Sequence, residues 1–377
     1  MENLINPPLP ETYTGLQFHS ASAPPILATL PTPAANPGTV IVKPLYAIIV
    51  QYANEIFANG NPRGFKYPLP LVPGGTCIAR VLAVPPDASI LKPGQLVYVE
   101  LAVRARDNAN IKVLRGYNEG TDESTRRLFG GDWRNGVWAT LATAPLEGVH
   151  ALDEDALFGR LGYKVEELGS ISQLIVPYAG LSEIHVKAGD TVLVAPATGS
   201  FGGAAVHVAL SMGARVIAMG RNEAALLELK QLSPRLEAVK FTGNEQEDIE
   251  ALSKFGPLDV YFDISPNKAG HSFIKLGFAC LKCGGRMSLM GGIRGDFQVP
   301  YGQIVHKGVT IKGSFMNTSQ QAKDLIKAIE TGALQVGSRA GMKVVGKFGL
   351  KDWEEAFSTA AAAEGAGNSV YFVPNQE

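Results

Sequence analysis

The sequence predicts an α/β fold in which a doubly wound parallel-sheet (Rossmann) domain is joined to a second, β-rich domain. Three observations carry this prediction. From about residue 188, short apolar runs alternate with helix-period segments, the pattern of βα units that build a parallel sheet. Before about residue 175, β-branched runs are separated by Pro and Gly, which reads as antiparallel β structure. Finally, 377 residues with 46% hydrophobic and 18% charged side chains can bury enough surface for two domains.

In chain order, the β-rich part is marked by runs at 39–43, 77–84 and 95–101. The segment 104–134 is polar and irregular, and its reading is a long surface excursion. The βα series then runs through strands at 191–195, 215–219, 238–241, 258–263 and 286–290, with helices at 201–212, 223–232 and 269–281 between them. In the first of these helices Phe201, Ala204, Ala205, Val208, Ala209 and Met212 fall at steps of 3, 1, 3, 1 and 3, so one face is apolar and packs on the sheet. A helix near 320–331 follows. Strand-like runs at 342–348 and 369–373, around a helix from Asp352, read as a tail returning to the first domain. The predicted domains are therefore 1–175 with 318–377, and 176–317.

Composition narrows the function classes. The formal charge of −1 calls for no polyanionic partner, so neither nucleic acid nor an acidic membrane face is expected. No apolar run approaches the roughly 20 residues that cross a bilayer, and residues 1–15 lack the apolar stretch of a secretion signal. Three cysteines, Cys77, Cys280 and Cys283, suit a reducing compartment, and a cytoplasmic protein is expected. Cys280-Leu-Lys-Cys283 has redox spacing but no suitable turn before a helix, and a structural role is expected. The six histidines show no helical i, i+4 pairing, and no Gly-x-Ser-x-Gly or Gly-Lys-Ser/Thr motif occurs, which removes metalloprotease, hydrolase and nucleotidase readings.

The segment Thr191-Val-Leu-Val-Ala-Pro-Ala-Thr-Gly-Ser-Phe-Gly-Gly203 is a strand, a small-residue turn and the amphipathic helix counted above. The spacing Ala197-x-Gly199-x-x-Gly202, with Thr198, Ser200 and Phe201 in the same turn, approximates the dinucleotide fingerprint, where the backbone approaches a pyrophosphate at a helix N-terminus. The end of the next strand selects the cofactor. An NAD site usually holds an acid there to bind the ribose 2′-hydroxyl, whereas this chain reads Met219-Gly220-Arg221-Asn222. Arg221 offers a planar fork of donors suited to a 2′-phosphate, so NADP(H) is the expected cofactor.

These residues resemble the medium-chain dehydrogenase/reductase superfamily, and within it the zinc-free quinone oxidoreductase and enoyl reductase branch. Tyr67-Pro-Leu-Pro-Leu-Val-Pro-Gly74 and Leu91-Lys-Pro-Gly94 look like the family's chaperonin-10-like β domain. Val186-Lys-Ala-Gly-Asp-Thr-Val-Leu-Val194 looks like its cofactor motif, and Leu281–Gly291, Ile311–Phe315 and Gly332–Leu334 resemble its later landmarks. The resemblance implies hydride transfer from NADPH to a small-molecule substrate in a cleft between the domains, with the nicotinamide amide held near Gly291, Gly292 and Phe315. It also implies a homodimer paired along the edge strand near 310–313. Two departures are informative. Zinc-dependent relatives place Cys where this chain reads Val50-Gln-Tyr-Ala-Asn54 and His where it reads Pro73-Gly-Gly-Thr76, so no metal is expected.

A zinc-free reductase needs a donor for the carbonyl oxygen that becomes an enolate. The candidates are Gln51, Tyr52 and Asn54, of which Tyr52 can donate both a hydrogen bond and a proton. The expected reaction is reduction of a conjugated C=C bond in an enone, quinone or enoyl substrate. Ketone or aldehyde reduction is the alternative, and a cofactor-loaded protein without catalysis, of the lens-crystallin kind, is a third.

Overall fold

The computed structural model describes residues 6–363 and 365–375. Residues 1–5, 364 and 376–377, on which the expectations about the chain ends partly fall, lie outside the described residues. The chain divides into two compact units, one of residues 6–172, 343–363 and 368–375, the other of residues 173–342 and 365–367.

The second unit is a six-stranded parallel sheet with its helices in the connections. In chain order it runs β1 (Thr191–Val194), α1 (Ser200–Ser211), β2 (Arg215–Gly220), α2 (Glu223–Lys230), β3 (Leu236–Lys240), α3 (Glu245–Ser253), β4 (Leu258–Asp263), α4 (Ser272–Cys280), β5 (Leu281–Leu289), α5 (Tyr301–Lys307) and β6 (Thr310–Gly313). The spatial order is β3-β2-β1-β4-β5-β6 with every pair parallel, the doubly wound order with a crevice outside the carboxyl ends of β1 and β4. Both faces of the central strands are covered, which is why Val192–Val194 and Val216–Met219 read as unbroken apolar runs. Short polar residues start the helices: Asn222 Oδ1 accepts from the Ala225 N–H at 3.1 Å, and Asn244 Oδ1 from Gln246 at 3.1 Å.

The boundary between the units differs from the predicted one. The helix Ser319–Glu330 belongs to the parallel-sheet unit: Ala322, Leu325, Ile326 and Ile329 are buried, and Gln321 Nε2 donates to the Ala179 carbonyl at 3.3 Å and to Ser182 Oγ at 2.9 Å. The chain leaves that unit only after residue 342 rather than at 318. An amphipathic pattern announces the helix without naming the surface it covers, so the following strand was needed to mark the return.

In the first unit, Lys343–Phe348 and Asn368–Phe372 pair in parallel, and the latter continues antiparallel onto Thr39–Ile48, Cys77–Ala83, Leu96–Val99 and Val149–Ala151, with Ala142–Pro145 also on Thr39–Ile48. Its core is aromatic: the Trp138 ring lies 5.1 Å from Phe372 and 5.5 Å from both Phe57 and Phe357. The segment 104–134 is not a loose excursion. It holds the helix Glu123–Gly130, begun by Asp122 in a capping box with Thr125, and the fully buried Arg115, whose guanidinium donates to the carbonyls of Gly75 (2.7 Å), Glu100 (3.4 Å) and Thr143. Burial brings that guanidinium's pKa down to about 10. No helix among the described residues is long and apolar enough to cross a membrane.

Candidate functional site

The turn after β1 is built by small residues with different jobs. Ala197 is fully buried and its N–H donates to the Met219 carbonyl at 2.8 Å, hooking the turn to β2. Gly199 starts α1 in an extended conformation (φ −86°, ψ 173°), and a Cβ on it would meet nothing within 4 Å. Gly202 is the reverse case: a Cβ there would lie 2.3 Å from the Pro196 carbonyl oxygen and 2.9 Å from Ala197. One glycine keeps space open in front of the helix, and the other lets the helix touch the turn. Ser200 and Phe201 lie in the first helical turn, whose N–H groups have no partner inside the helix. Ser200 Oγ is fixed by Gln173 Nε2 at 2.7 Å.

Thr198 reaches the end of β2. A Cβ on Gly220 would fall 2.8 Å from Thr198 Cγ2, so the absence of a side chain at 220 lets the two loops meet. Beyond it Arg221, exposed, lines a cavity of about 250 Å³ together with Phe241, Pro266, Lys268, Ser272 and Phe273. Phe241 and Phe273 pack at 4.3 Å between centroids. Asn222 is committed to capping α2. The first carboxylate after the strand, Glu223, pairs with Lys240 at 3.1 Å.

On the far side of the switch between β1 and β4, Gly291 and Gly292 follow β5, exposed at the same edge of the sheet. Asp263, buried at the end of β4, organises them. It accepts from Ser265 Oγ at 2.6 Å and from Tyr261 Oη at 3.2 Å, and the Gly291 N–H donates to it as well. Gly292 N–H donates to the Ser265 carbonyl at 2.8 Å. Burial raises the pKa of Asp263, and these hydrogen bonds oppose the rise. A Cβ on Gly291 would stand 2.4 Å from Asp263 Oδ2, so only glycine fits. Phe315, 57% exposed, follows Ser314, whose N–H donates to the Leu289 carbonyl at 3.2 Å, so it too leaves the sheet beside the end of β5. The predicted cofactor residues thus gather along one edge of the sheet.

The three candidates in the first unit separate by role. Gln51 Nε2 donates to the Ala363 carbonyl and is a structural tie. Asn54 lies in the short helix Ala53–Phe57, and its carbonyl accepts from Ala58 at 3.0 Å and Asn59 at 2.9 Å. Tyr52 precedes that helix, half-buried, with the Arg63 guanidinium 4.0 Å over its ring; Arg63 is held by Glu55 at 2.6 Å. Burial raises the pKa of the Tyr52 hydroxyl, Arg63 opposing it, so the hydroxyl keeps its proton at neutral pH.

In the turn 73–76, where the resemblance implies a missing histidine, an added side chain would have to displace its neighbours. A Cβ on Gly75 would lie 1.8 Å from Leu101 Cδ1, and one on Gly74, at φ +96°, 2.4 Å from Trp138 Cδ1. Among the described residues no group of three or more His, Cys, Asp or Glu is arranged to hold a metal ion.

Sequence reasoning missed Phe241, Lys268 and Asp263. Asp263 had a signal, an acid closing the apolar run of β4. Phe241 and Lys268 had none, since each reaches the cavity from a different loop.

Residues 201–331 match the family model described as zinc-binding dehydrogenase. The chain is 26% identical over 310 residues to a zinc-type alcohol dehydrogenase-like protein of Schizosaccharomyces pombe, covering 78% of this chain and 81% of that one. It is 25% identical over 299 residues to an L-threonine 3-dehydrogenase of Anaeromyxobacter dehalogenans, covering 77% and 78%. Among solved structures, the cobalt- and zinc-bound alcohol dehydrogenase of Pyrobaculum aerophilum shares the fold with a TM-score of 0.72 at 16% identity, over 96% of this chain and 100% of that one. A Sinorhizobium meliloti chain provisionally identified as a zinc-binding dehydrogenase and bound to NADP gives 0.75 at 16%, over 96% and 99%. The chain is thus similar to zinc-type alcohol dehydrogenase-like oxidoreductases in sequence, and to alcohol dehydrogenases in fold.

Proposed function

From these likenesses and this site, we propose that the chain is an NADPH-dependent reductase of conjugated C=C bonds, acting on an enone, quinone or enoyl substrate without zinc. The observation that carries the cofactor choice is the cavity at the end of β2, which presents Arg221 and no free carboxylate. A guanidinium there favours a 2′-phosphate, where an acid would favour a 2′-hydroxyl. The turn 197–202 would hold the pyrophosphate against the first N–H groups of α1, Gly199 leaving the room. Gly291, Gly292 and Phe315 would flank the nicotinamide, kept in place by Asp263. When bound, the cofactor supplies the hydride.

The preference for C=C over C=O rests on the residues available to stabilise charge. Reduction of an isolated carbonyl concentrates charge on one oxygen, whereas addition to an enone spreads it over a conjugated system that a single neutral donor can serve. Tyr52 is that donor: its hydroxyl holds its proton and gives a hydrogen bond, then the proton, to the enolate oxygen. Carbonyl reduction is the second reading, favoured by the alcohol and threonine dehydrogenase names of the relatives. A second copy of the chain would pair along β6, an edge strand whose four residues are all exposed. Three free cysteines suit work in the cytoplasm.

The test is isotopic. With NADPH deuterated at the transferred position of C4, an enone substrate should carry label at its β-carbon. Label on the carbinol carbon of an allylic alcohol would reject the C=C reading in favour of the second.

A further inference from the structure

We infer that Lys268 is a second anion ligand of the cavity beside β2, and that Lys268 and Arg221 together grip the 2′-phosphate of NADPH. This rests on the NADPH reading given above and names the partner that completes it. Arg221 comes from the β2–α2 connection and Lys268 from the β4–α4 connection, loops that flank β1 on opposite sides in the sheet order. They nevertheless line one cavity of about 250 Å³, whose wall is formed by Phe241 and Phe273 and whose remaining polar group is Ser272.

Both side chains are exposed, and two like charges lining one cavity repel each other until an anion sits between them. Several cations of this unit are satisfied within the chain, whereas among the described residues exposed ones such as Lys254, Lys275 and Lys323 are not, so what sets Arg221 and Lys268 apart is the cavity they share. Lys240 pairs with Glu223 at 3.1 Å, Lys230 with Glu237 at 3.3 Å, Arg286 with Asp190 at 2.7 Å, and Lys282 with Asp259. Lys307 donates to the carbonyl that opens β5, Leu281, at 2.9 Å. Neither Arg221 nor Lys268 has an ion pair or hydrogen bond among the described residues, and the carboxylate nearest in sequence to Arg221 is already engaged by Lys240. A phosphate monoester, with a charge of about −1.5 to −2 and three acceptor oxygens, is the group that two such donors and a serine hydroxyl suit. The planar fork of Arg221 supplies direction and the ammonium of Lys268 a point charge. Phe241 offers the flat apolar surface on which an adenine would lie.

The experiment compares adenosine 2′,5′-bisphosphate with 5′-AMP by isothermal titration on wild type, Arg221→Ala, Lys268→Ala and Lys268→Arg. Lys268 is exposed on a loop, so its variants should fold, and equal melting temperatures verify this. Lys268→Ala should weaken the bisphosphate by about tenfold to a hundredfold, leave 5′-AMP within about twofold, and lower the salt dependence of bisphosphate binding; Lys268→Arg should restore most of the loss. Unchanged bisphosphate affinity in Lys268→Ala, alongside a loss in Arg221→Ala, would overturn the inference and leave the NADPH reading standing. Equal losses for both ligands would also overturn it, by placing Lys268 on the adenosine or the 5′-phosphate. Wild type binding the two ligands equally would reject the NADPH reading itself, and the inference with it.

Discussion

Gly199 and Gly202 are three residues apart in one turn, yet replacing each with alanine should do opposite things. At Gly202 two effects compete. Alanine is favoured over glycine inside a helix by roughly 1 kcal/mol, but its Cβ would lie 2.3 Å from the Pro196 carbonyl oxygen and 2.9 Å from Ala197. Overpacking typically costs about 1–3 kcal/mol, and the upper end applies because the obstruction is backbone on both sides. The clash wins, and Gly202→Ala should be destabilised by about 1–2 kcal/mol, a fall of roughly 2–8 °C in Tm for a unit of this size. At Gly199 the backbone is extended and nothing lies within 4 Å of a new Cβ. Alanine is a poorer N-cap than glycine by several tenths of a kcal/mol, and the smaller entropy of its unfolded chain offsets a similar amount, so Tm should stay within about 1–2 °C. The new methyl instead enters the space assigned to the pyrophosphate, and NADPH binding should weaken by about tenfold or more, as expected when a close backbone approach is blocked. Differential scanning fluorimetry and cofactor titration on both variants separate the two quantities. If Gly199→Ala keeps wild-type NADPH affinity at unchanged Tm, the pyrophosphate does not lie there and the assignment of the turn is wrong.

Three further expectations follow from the same geometry. Tyr52→Phe keeps the ring under Arg63 and removes the donor, so kcat should fall by roughly 10²-fold while NADPH affinity is unchanged; near-wild-type turnover would reduce Tyr52 to a packing residue. Activity should survive exhaustive chelation, and stoichiometric zinc in the purified protein that is lost together with activity would refute zinc independence. His207 in α1 is half-buried with no partner among the described residues, and burial pulls its pKa from the usual 6.5 to about 4. Between those values the unfolded chain binds a proton that the folded chain refuses, so stability should fall as pH drops from about 6.5 to 4, by on the order of 3 kcal/mol. His207→Gln should flatten Tm against pH in that window, and an unaltered slope would show that other groups govern it.

The turn at 197–202 was legible in the sequence because its chemistry is local: a strand, three small residues at fixed spacing and an apolar helix face lie within about twenty consecutive residues, and each implies the next. The place of Arg221, one residue past the end of a strand, was legible for the same reason. The cavity it lines was not, because its wall comes from residues 241 and 266–273, and no periodicity ties a loop to a loop. The same limit misplaced the boundary at 318. The helix Ser319–Glu330 carries a clear apolar stripe, but the stripe is satisfied equally by either unit until Gln321 is seen on Ala179 and Ser182. In the segment 104–134, polar residues suggested exposure, while Arg115 is buried among backbone carbonyls, a way of housing a charge that composition conceals.

The departures at 73–76 illustrate how packing spreads the consequence of a single position. Read as a sequence, the turn 73–76 is one absent histidine. In the fold its two glycines are contacts: Trp138 closes over Gly74, Leu101 over Gly75, and the Gly75 carbonyl accepts from the buried Arg115. A histidine introduced at 75 would have to displace the tip of the half-buried Leu101 and would come within 3.2 Å of the Arg115 carbonyl. The glycine pair is thus part of how this unit packs, and a side chain introduced at 75 must first displace the tip of Leu101. On the proposed reading the donor lies elsewhere in the same unit, in the proton-bearing hydroxyl of Tyr52, whose ring lies under Arg63, itself held by Glu55.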